Sequence, residues 1–292
     1  MDFSILIPVY NQSIERLCNT LHEQASRLSS KHQILFIDDC SDLSISYLNR
    51  KVNRIVNVEY EVLSENIGRA AIRNKLVEMA KYEFCIIMDG DVSIVSDNYI
   101  EQYLNGAMDD TILVGGHIYQ EKTPENKEYI LHWKYGLTTE SKTAKERQTK
   151  PYASFMTSNF ACFKSTFEQI KFDESLKQYG HEDTLFGLQA EAKNIPIVHM
   201  DNPVRHDGLE KTSEFLRKQK LAVQNLKRLY KIPMFRAKLK KHVSLISASH
   251  WPLPEFFLQL FANYVSKNLS SGEPKIWCLQ WQKLLWWNEK NE

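Results

Sequence analysis

Residues 85–94 read CIIMDGDVSI: an apolar run, Cys85 to Met88, enters Asp89-Gly90-Asp91, and the chain turns apolar again at Val92. Four apolar residues in a row suit a strand buried on both faces. A carboxylate at the mouth of such a strand loses water, which is costly unless something positive replaces it. Either the pair lies on a loop at the sheet edge, or a cation belongs there.

Outward from this stretch, strand-like and helix-like segments alternate. "FSILIPVY" (3–10) and "QILFIDD" (33–39) are short apolar runs ending in polar residues, and "VEYEVL" (58–63) alternates as a strand does. Between the first two, Ile14, Leu17, Cys18, Leu21, Ala25 and Leu28 recur at helical spacing. Ala70, Ala71, Leu76 and Met79 do the same within 68–81. The order predicts an α/β fold: one mixed, mostly parallel sheet flanked by helices. In such sheets ligands collect beyond the carboxyl ends of the strands, where Tyr10-Asn11, Asp38-Asp39 and Asp89-Gly90-Asp91 all fall. "TILVGGHIY" (111–119), "NFACFK" (159–164) and "IPIVHM" (195–200) read as further strands, and 183–193 as a helix. The polar stretch 120–151 reads as a long, mobile excursion with a short helix around "EYILHWKYG". Beyond Leu209, the segments 212–231, 235–246, 254–268 and 274–288 read as helices.

The 292 residues are 43% hydrophobic and 25% charged, ordinary globular composition. Asp2 and the short apolar run 3–10 do not make an export signal. The most apolar later stretch, 243–265, is interrupted by His250, Pro252, Pro254 and Glu255 and does not read as a spanning helix. Five scattered cysteines without metal spacing suggest free thiols in a reducing compartment, hence a cytoplasmic protein. The net charge of +1 hides an asymmetry: residues 1–210 hold 22 Lys+Arg against 31 Asp+Glu, and residues 211–292 hold 15 against 5. That shift marks a domain boundary near Leu209, dividing 1–210 from a basic, Trp-rich helical region, 211–292.

"SILIPVYNQ", "ILFIDDCSD", "SENIGRAAIRNKLVEMAKYEFCIIMDGDV" and "FDESLKQYGHEDTLFGLQAEAKNIPIVH", in this order and spacing, resemble the family 2 glycosyltransferases with the GT-A fold. The resemblance covers roughly residues 3–208. It implies that a nucleoside diphosphate sugar, most commonly a UDP-sugar, lies across the first strand ends. Pro8, Val9 and Tyr10 would flank the base, and Asp39 would accept its ring N–H, a task suited to an acceptor-only group. The bland reading of Asp38-Asp39 is a cap for the helix starting near Ser44. Gly68, Arg69 and Arg73 match the stretch where the family turns its backbone toward the ligand and brings an arginine to the base or phosphates.

The resemblance also answers the opening question. Asp89 would hold sugar hydroxyls or ribose, and Gly90 would leave room for the diphosphate. Asp91, with His206 from "PVRHDG", would touch Mn²⁺ or Mg²⁺, a hard cation suited to carboxylate and phosphate oxygens. His199 is the nearby rival, expected to face the core. In "YGHEDTLFG" (179–187), Asp183 corresponds to the base that takes the acceptor's hydroxyl proton in an inverting transfer, and Glu182 would bind or orient the acceptor. The bland alternative makes both favourable charges in a helix's first turn. Tyr179 and His181 stand where the family often has a sugar-stacking Trp.

The implied activity is transfer to a hydroxyl of a glycan or lipid-linked glycan acceptor. The rival readings are a sugar nucleotidyltransferase, whose glycine-rich phosphate loop "IPVYNQS" lacks, and an inactive GT-A-fold glycan- or nucleotide-binding protein. No Walker A or G-x-S-x-G motif is present.

From Lys211 to His242 there are 11 Lys+Arg against one Glu, and five of the six tryptophans follow, at 251, 277, 281, 286 and 287. Basic helices with aromatic anchors suit peripheral docking on the anionic inner face of a membrane. Packing on the catalytic domain or homo-oligomer formation is the competing reading. No nucleic-acid-reading motif accompanies the charge.

Overall fold

The computed structural model describes residues 1–176, 179–242 and 260–289. The chain divides into two compact units: residues 1–118, 141–177 and 182–208 form the first, and 119–140, 178–181 and 209–292 the second.

The first unit is built on a seven-stranded sheet. Its strands in chain order are β1 (Phe3–Val9), β2 (His32–Asp38), β3 (Val58–Val62), β4 (Phe84–Met88), β6 (Ile112–Val114), β8 (Asn159–Phe163) and β9 (Ile197–His199). They lie in the order β3-β2-β1-β4-β8-β6-β9. β1, β2, β3 and β4 pair in parallel, β6 and β9 likewise, and β8 runs antiparallel to both β4 and β6. Period-two alternation sends successive β1 side chains to opposite faces. Phe3, Ile5, Ile7 and Val9 pack with Leu17 and Leu21 of helix α1 (Glu15–Ser26) and Tyr99 and Tyr103 of helix α4 (Tyr99–Gly106). Leu6, Leu35, Cys85 and Ile87 pack on the other face with Ala70, Ile72 and Leu76 of helix α3 (Arg69–Met79) and Phe186 of helix α8 (Glu182–Ala192). Helices α2 (Leu43–Asn49) and α7 (Lys164–Ile170) complete the layers.

A second sheet of three short strands sits in the same unit: β5 (Val92–Ile94), β10 (Val204–His206) and β7 (His117–Ile118), with β10 in the middle. It is pinned by a buried polar hub. Arg147, on the short helix α6 (Ala144–Gln148), is 2% exposed and donates to the carbonyls of Val114, Gly115 and Met200. Asn159, fully buried, donates to the carbonyls of Gly116 and Asn202 and accepts from the hydroxyls of Tyr99 and Tyr103. Buried polar groups are stable when so fully partnered.

The second unit keeps one sequence expectation and changes another. The short helix expected around "EYILHWKYG" is α5 (Ile130–Tyr135), which runs into a π-helical turn at Gly136–Glu140. But 120–151 is not one excursion, since 141–151 belongs to the first unit and 119–140 groups with the C-terminal helices. Those helices are α9 (Thr212–Lys231), α10 (Pro233–His242), α11 (Ala262–Leu269) and α12 (Ile276–Asn288). Leu131, Phe215, Val265, Leu269, Cys278 and Leu279 form their core, and His132 stacks on Phe215 at 4.6 Å. The expected helical stretches 243–246 and 254–259, with Trp251, lie outside the described residues. Among the described residues, no helix is long and apolar enough to cross a membrane.

Candidate active site

The three polar strand ends meet at one edge of the large sheet. β1 ends at Val9, whose side chain is 1% exposed and belongs to the core, while Tyr10 is 59% exposed and Pro8 half-buried. Val9 therefore offers a ligand only backbone; its carbonyl accepts from the amide of Asp39 at 2.8 Å. At the end of β2 the two aspartates separate in role. Asp38 is fully buried, accepting from the Ser41 amide at 2.6 Å and from the Tyr60 hydroxyl. Neither aspartate caps the helix after β2: Asp42 is the residue before α2, and it makes no side-chain cap.

Asp39 reaches across to the loop before α3. One oxygen accepts from the Ile67 amide at 2.7 Å and the other from the Gly68 amide at 3.0 Å. Burial raises the Asp39 carboxyl above its ordinary value despite these two donors. Gly68 has φ 87° and ψ 166°, a conformation that belongs to glycine, so the loop turns sharply into α3 with its amide aimed at Asp39.

Helix α3 then supplies two arginines with different placements. Arg73 is 2% exposed and bonds Asp89 Oδ1 through a terminal nitrogen. Its other terminal nitrogen donates to the Arg69 carbonyl at 2.9 Å. Arg73 thus lies behind Asp89. Arg69, 42% exposed along its side chain, reaches the open side: Nε is 2.9 Å from Glu182 Oε1, and a terminal nitrogen is 3.7 Å from Asp89 Oδ2. Burial works against an Asp89 charge, but the guanidinium groups of Arg73 and then Arg69 prevail and hold its carboxyl below the usual range.

Gly90 separates Asp89 from Asp91 because space there is short. A Cβ on Gly90 would fall 3.0 Å from the Pro8 carbonyl oxygen, so the turn leaving β4 closes against the end of β1. Asp91, more open than Asp89, faces β10: its Oδ2 lies 4.0 Å from Nε2 of His206. The Gly208 amide donates to His206 Nδ1 at 3.0 Å. In the neutral ring this leaves the proton on Nε2, facing Asp91; a cation taken up by Nε2 requires that proton to move to Nδ1, which ends the bond from Gly208.

These two donors fit a divalent cation. Metal–oxygen and metal–nitrogen bonds of about 2.1 Å each span a gap of this size. Gly208 forms one wall of that space, since a Cβ on it would come 2.5 Å from Asp91 Oδ2 and 2.9 Å from His206 Cε1. Among the described residues no group of three His, Cys, Asp or Glu side chains converges on a metal position. A cation here would complete its coordination with phosphate oxygens and water, as Mg²⁺ and Mn²⁺ sites on nucleotides commonly do. His199, the rival, is buried and bonded to Arg147 at 2.8 Å and to the Pro151 carbonyl at 3.0 Å. Burial lowers its pKa to about 4.

Glu182 and Asp183 open helix α8. Glu182 is buried and paired with Arg69, while Asp183 is half-buried and accepts from the Thr184 amide at 2.6 Å. Burial, and next the Glu182 charge, push the Asp183 carboxyl up to about 6. In the second unit, Tyr179 carries Lys218 Nζ 5.2 Å from its ring centroid.

Two neighbours of this edge escaped the sequence reading. The Ser158 carbonyl accepts from the Asp89 amide at 3.2 Å, and its hydroxyl lies 2.9 Å from His117 Nδ1. The cue in the sequence was "VGGH": two glycines and a histidine directly after an apolar strand.

The sequence model of the family described as Glycosyl transferase family 2 matches residues 4–170. Over 112 residues the chain is 32% identical to "Putative glycosyltransferase EpsH" of Bacillus subtilis (strain 168), covering 38% of this chain and 32% of that protein. The chain thus spans about a third of the length of that curated relative. Among solved structures it is similar to S. aureus TarS 1-349 in complex with UDP: 18% identity, 89% of this chain, 78% of that one, TM-score 0.55. It is also similar to the mannosyltransferase PcManGT from Pyrobaculum calidifontis in complex with GDP-Man and Mn²⁺: 14% identity, 97% of this chain, 85% of that one, TM-score 0.60. At such identities the likeness is one of fold.

Proposed function

The chain belongs to glycosyl transferase family 2, and from that membership we propose an inverting, metal-assisted transfer from a UDP-sugar to a hydroxyl of a glycan or lipid-linked glycan. Membership of the family supports glycosyl transfer and the solved structures share the fold; a nucleotide-sugar donor is part of the proposal. The observation carrying the finer reading is the run Asp89–Arg69–Glu182, which joins the Asp-Gly-Asp turn directly to the residue before Asp183.

In this reading the nucleotide lies over Pro8, the Val9 backbone and Tyr10, beside Asp39 and Gly68. Each Asp39 oxygen already accepts one amide and keeps a second lone pair for an imide N–H. Asp89, steadied by Arg73, receives hydroxyls of the sugar or ribose, and Gly90 lets the diphosphate approach the sheet edge. Asp91 and His206 hold the cation, and an imidazole in the set favours Mn²⁺ over Mg²⁺. Such an ion supplies Lewis-acid neutralisation of the leaving diphosphate. Asp183 takes the proton of the acceptor hydroxyl, whose oxygen forms the new bond to the anomeric carbon from behind. The bond from that carbon to the β-phosphate oxygen breaks, and its electron pair leaves with the nucleoside diphosphate.

Calorimetry with UDP, with and without Mn²⁺, tests the reading. Metal-strengthened UDP binding is expected, and Asp91→Ala removes the increment. No binding of any nucleoside diphosphate would point instead to a fold kept without activity.

The 211–292 region is proposed to dock on an anionic membrane surface. Support comes from half-exposed rings at α11 and α12: Phe261, directly before α11, and Tyr264 and Trp277, which stack at 6.0 Å. Flotation with phosphatidylserine vesicles at low salt is the check; absence of binding, with a dimer in solution, would assign the face to a second copy.

A further inference from the structure

We propose that His117, held by Ser158, is a positioning residue that fixes the His206 ring at the cation site. The inference rests on the reading above, in which Asp91 and His206 hold the cation. Register places the two histidines together. Along β10, Val204 and His206 point to one face of the small sheet, and Val204 is the parallel partner of His117 on β7. The rings meet edge to face, with centroids 6.0 Å apart and planes at 83°. That is a preferred aromatic arrangement, and it opposes rotation of either ring.

Without a cation, the Gly208 amide holds Nδ1 of His206. Once Nε2 offers its lone pair to a cation that bond is lost, and the His117 ring, which limits rotation about the Cβ–Cγ bond, keeps Nε2 directed at Asp91. His117 in turn is 8% exposed, with Nδ1 2.9 Å from the Ser158 hydroxyl. Its strand starts from Gly115 and Gly116, whose carbonyls are bonded by Arg147 and Asn159.

A buried histidine with a hydroxyl partner is more often a satisfied core residue than a functional one. Ser158 distinguishes this one. Its carbonyl holds the amide of Asp89 while its hydroxyl holds His117, so a single residue registers the first arm of Asp-Gly-Asp against the ring that packs on His206, the imidazole facing the second arm. Partners of this kind, one step removed from a metal, commonly affect its affinity by tenfold or more.

The test uses the full chain and measures Mn²⁺ affinity by the EPR signal of free Mn²⁺ in the presence of UDP. UDP affinity without metal and the thermal midpoint are measured alongside. His117→Ala and Ser158→Ala are each expected to weaken Mn²⁺ binding about tenfold, with metal-free UDP binding unchanged. Should His117→Ala fail to fold, Ser158→Ala, which removes one hydroxyl, decides the question. Wild-type Mn²⁺ affinity in the folded variants, with Asp91→Ala still losing it, overturns the role of His117 and leaves the cation reading standing. Wild-type protein that binds no Mn²⁺ even with UDP overturns the cation reading and this inference together.

Discussion

Arg69 Nε lies 2.9 Å from Oε1 of Glu182. The same guanidinium faces Asp89 at 3.7 Å, so one side chain spans from the loop after β4 to the start of α8. A planar fork can hold two carboxylates at set angles, whereas a lysine ammonium is a point charge on a flexible stem. Arg69→Ala is expected to lower kcat/KM for nucleotide release about a hundredfold through misplacement of the reacting groups, and Arg69→Lys to recover little of it. Wild-type kcat/KM in Arg69→Ala would show that the two carboxylates are placed independently of it.

Asp183 gives the pH dependence. Its carboxyl is raised to about 6, by burial first and the Glu182 charge next, so it is protonated and inactive as a base below that pH. kcat/KM should rise through a midpoint near 6, and Asp183→Asn should keep donor affinity while losing about a thousandfold in turnover. The same shift acts on stability. With the folded value above the unfolded one, the fold pays no penalty at low pH and loses stability as pH climbs from the ordinary carboxylate range through about 6. Asp183→Asn should consequently melt higher than wild type at pH 8. A variant with wild-type turnover removes Asp183 from the base role.

Gly68 offers a backbone test. Nothing lies within 4 Å of a Cβ built there, so any cost of Gly68→Ala comes from φ 87° alone. That cost is about 1–3 kcal/mol, read by denaturant unfolding. UDP affinity should fall as well, because relaxation of the loop withdraws the amides of Ile67 and Gly68 from Asp39. Unchanged stability would mean that the loop tolerates another conformation.

Strands buried on both faces were legible because they are continuous apolar runs: every residue of β2 and β4 is buried. Asp89 and Asp91 were legible because carboxylates are conspicuous at the end of such a run. Helix α5 was legible within "EYILHWKYG", but its grouping with the C-terminal helices was not, since six residues with three buried side chains are too few to define a packing face in the sequence. Arg147 looked like one more charge in a polar stretch, and nothing local betrays that carbonyls from β6 and the loop after β9 converge on it. The partners of Asp39 are backbone amides, which leave no signature in residue identity. His117 and Ser158 were hidden for a related reason: β7 is only two residues long, and their contact spans 41 positions.

Strand β8 has a practical consequence. It is the reversed strand, with Asn159 opposite Met88 and Phe163 opposite Phe84, so the chain enters it at the Asp89 edge and exits at the far one. Lengthening the segment just before Asn159 would remodel what the pocket admits. Glu83, exposed and a full strand length away where Lys164 opens α7, offers a place to attach a fluorophore or an immobilising tether without disturbing turnover.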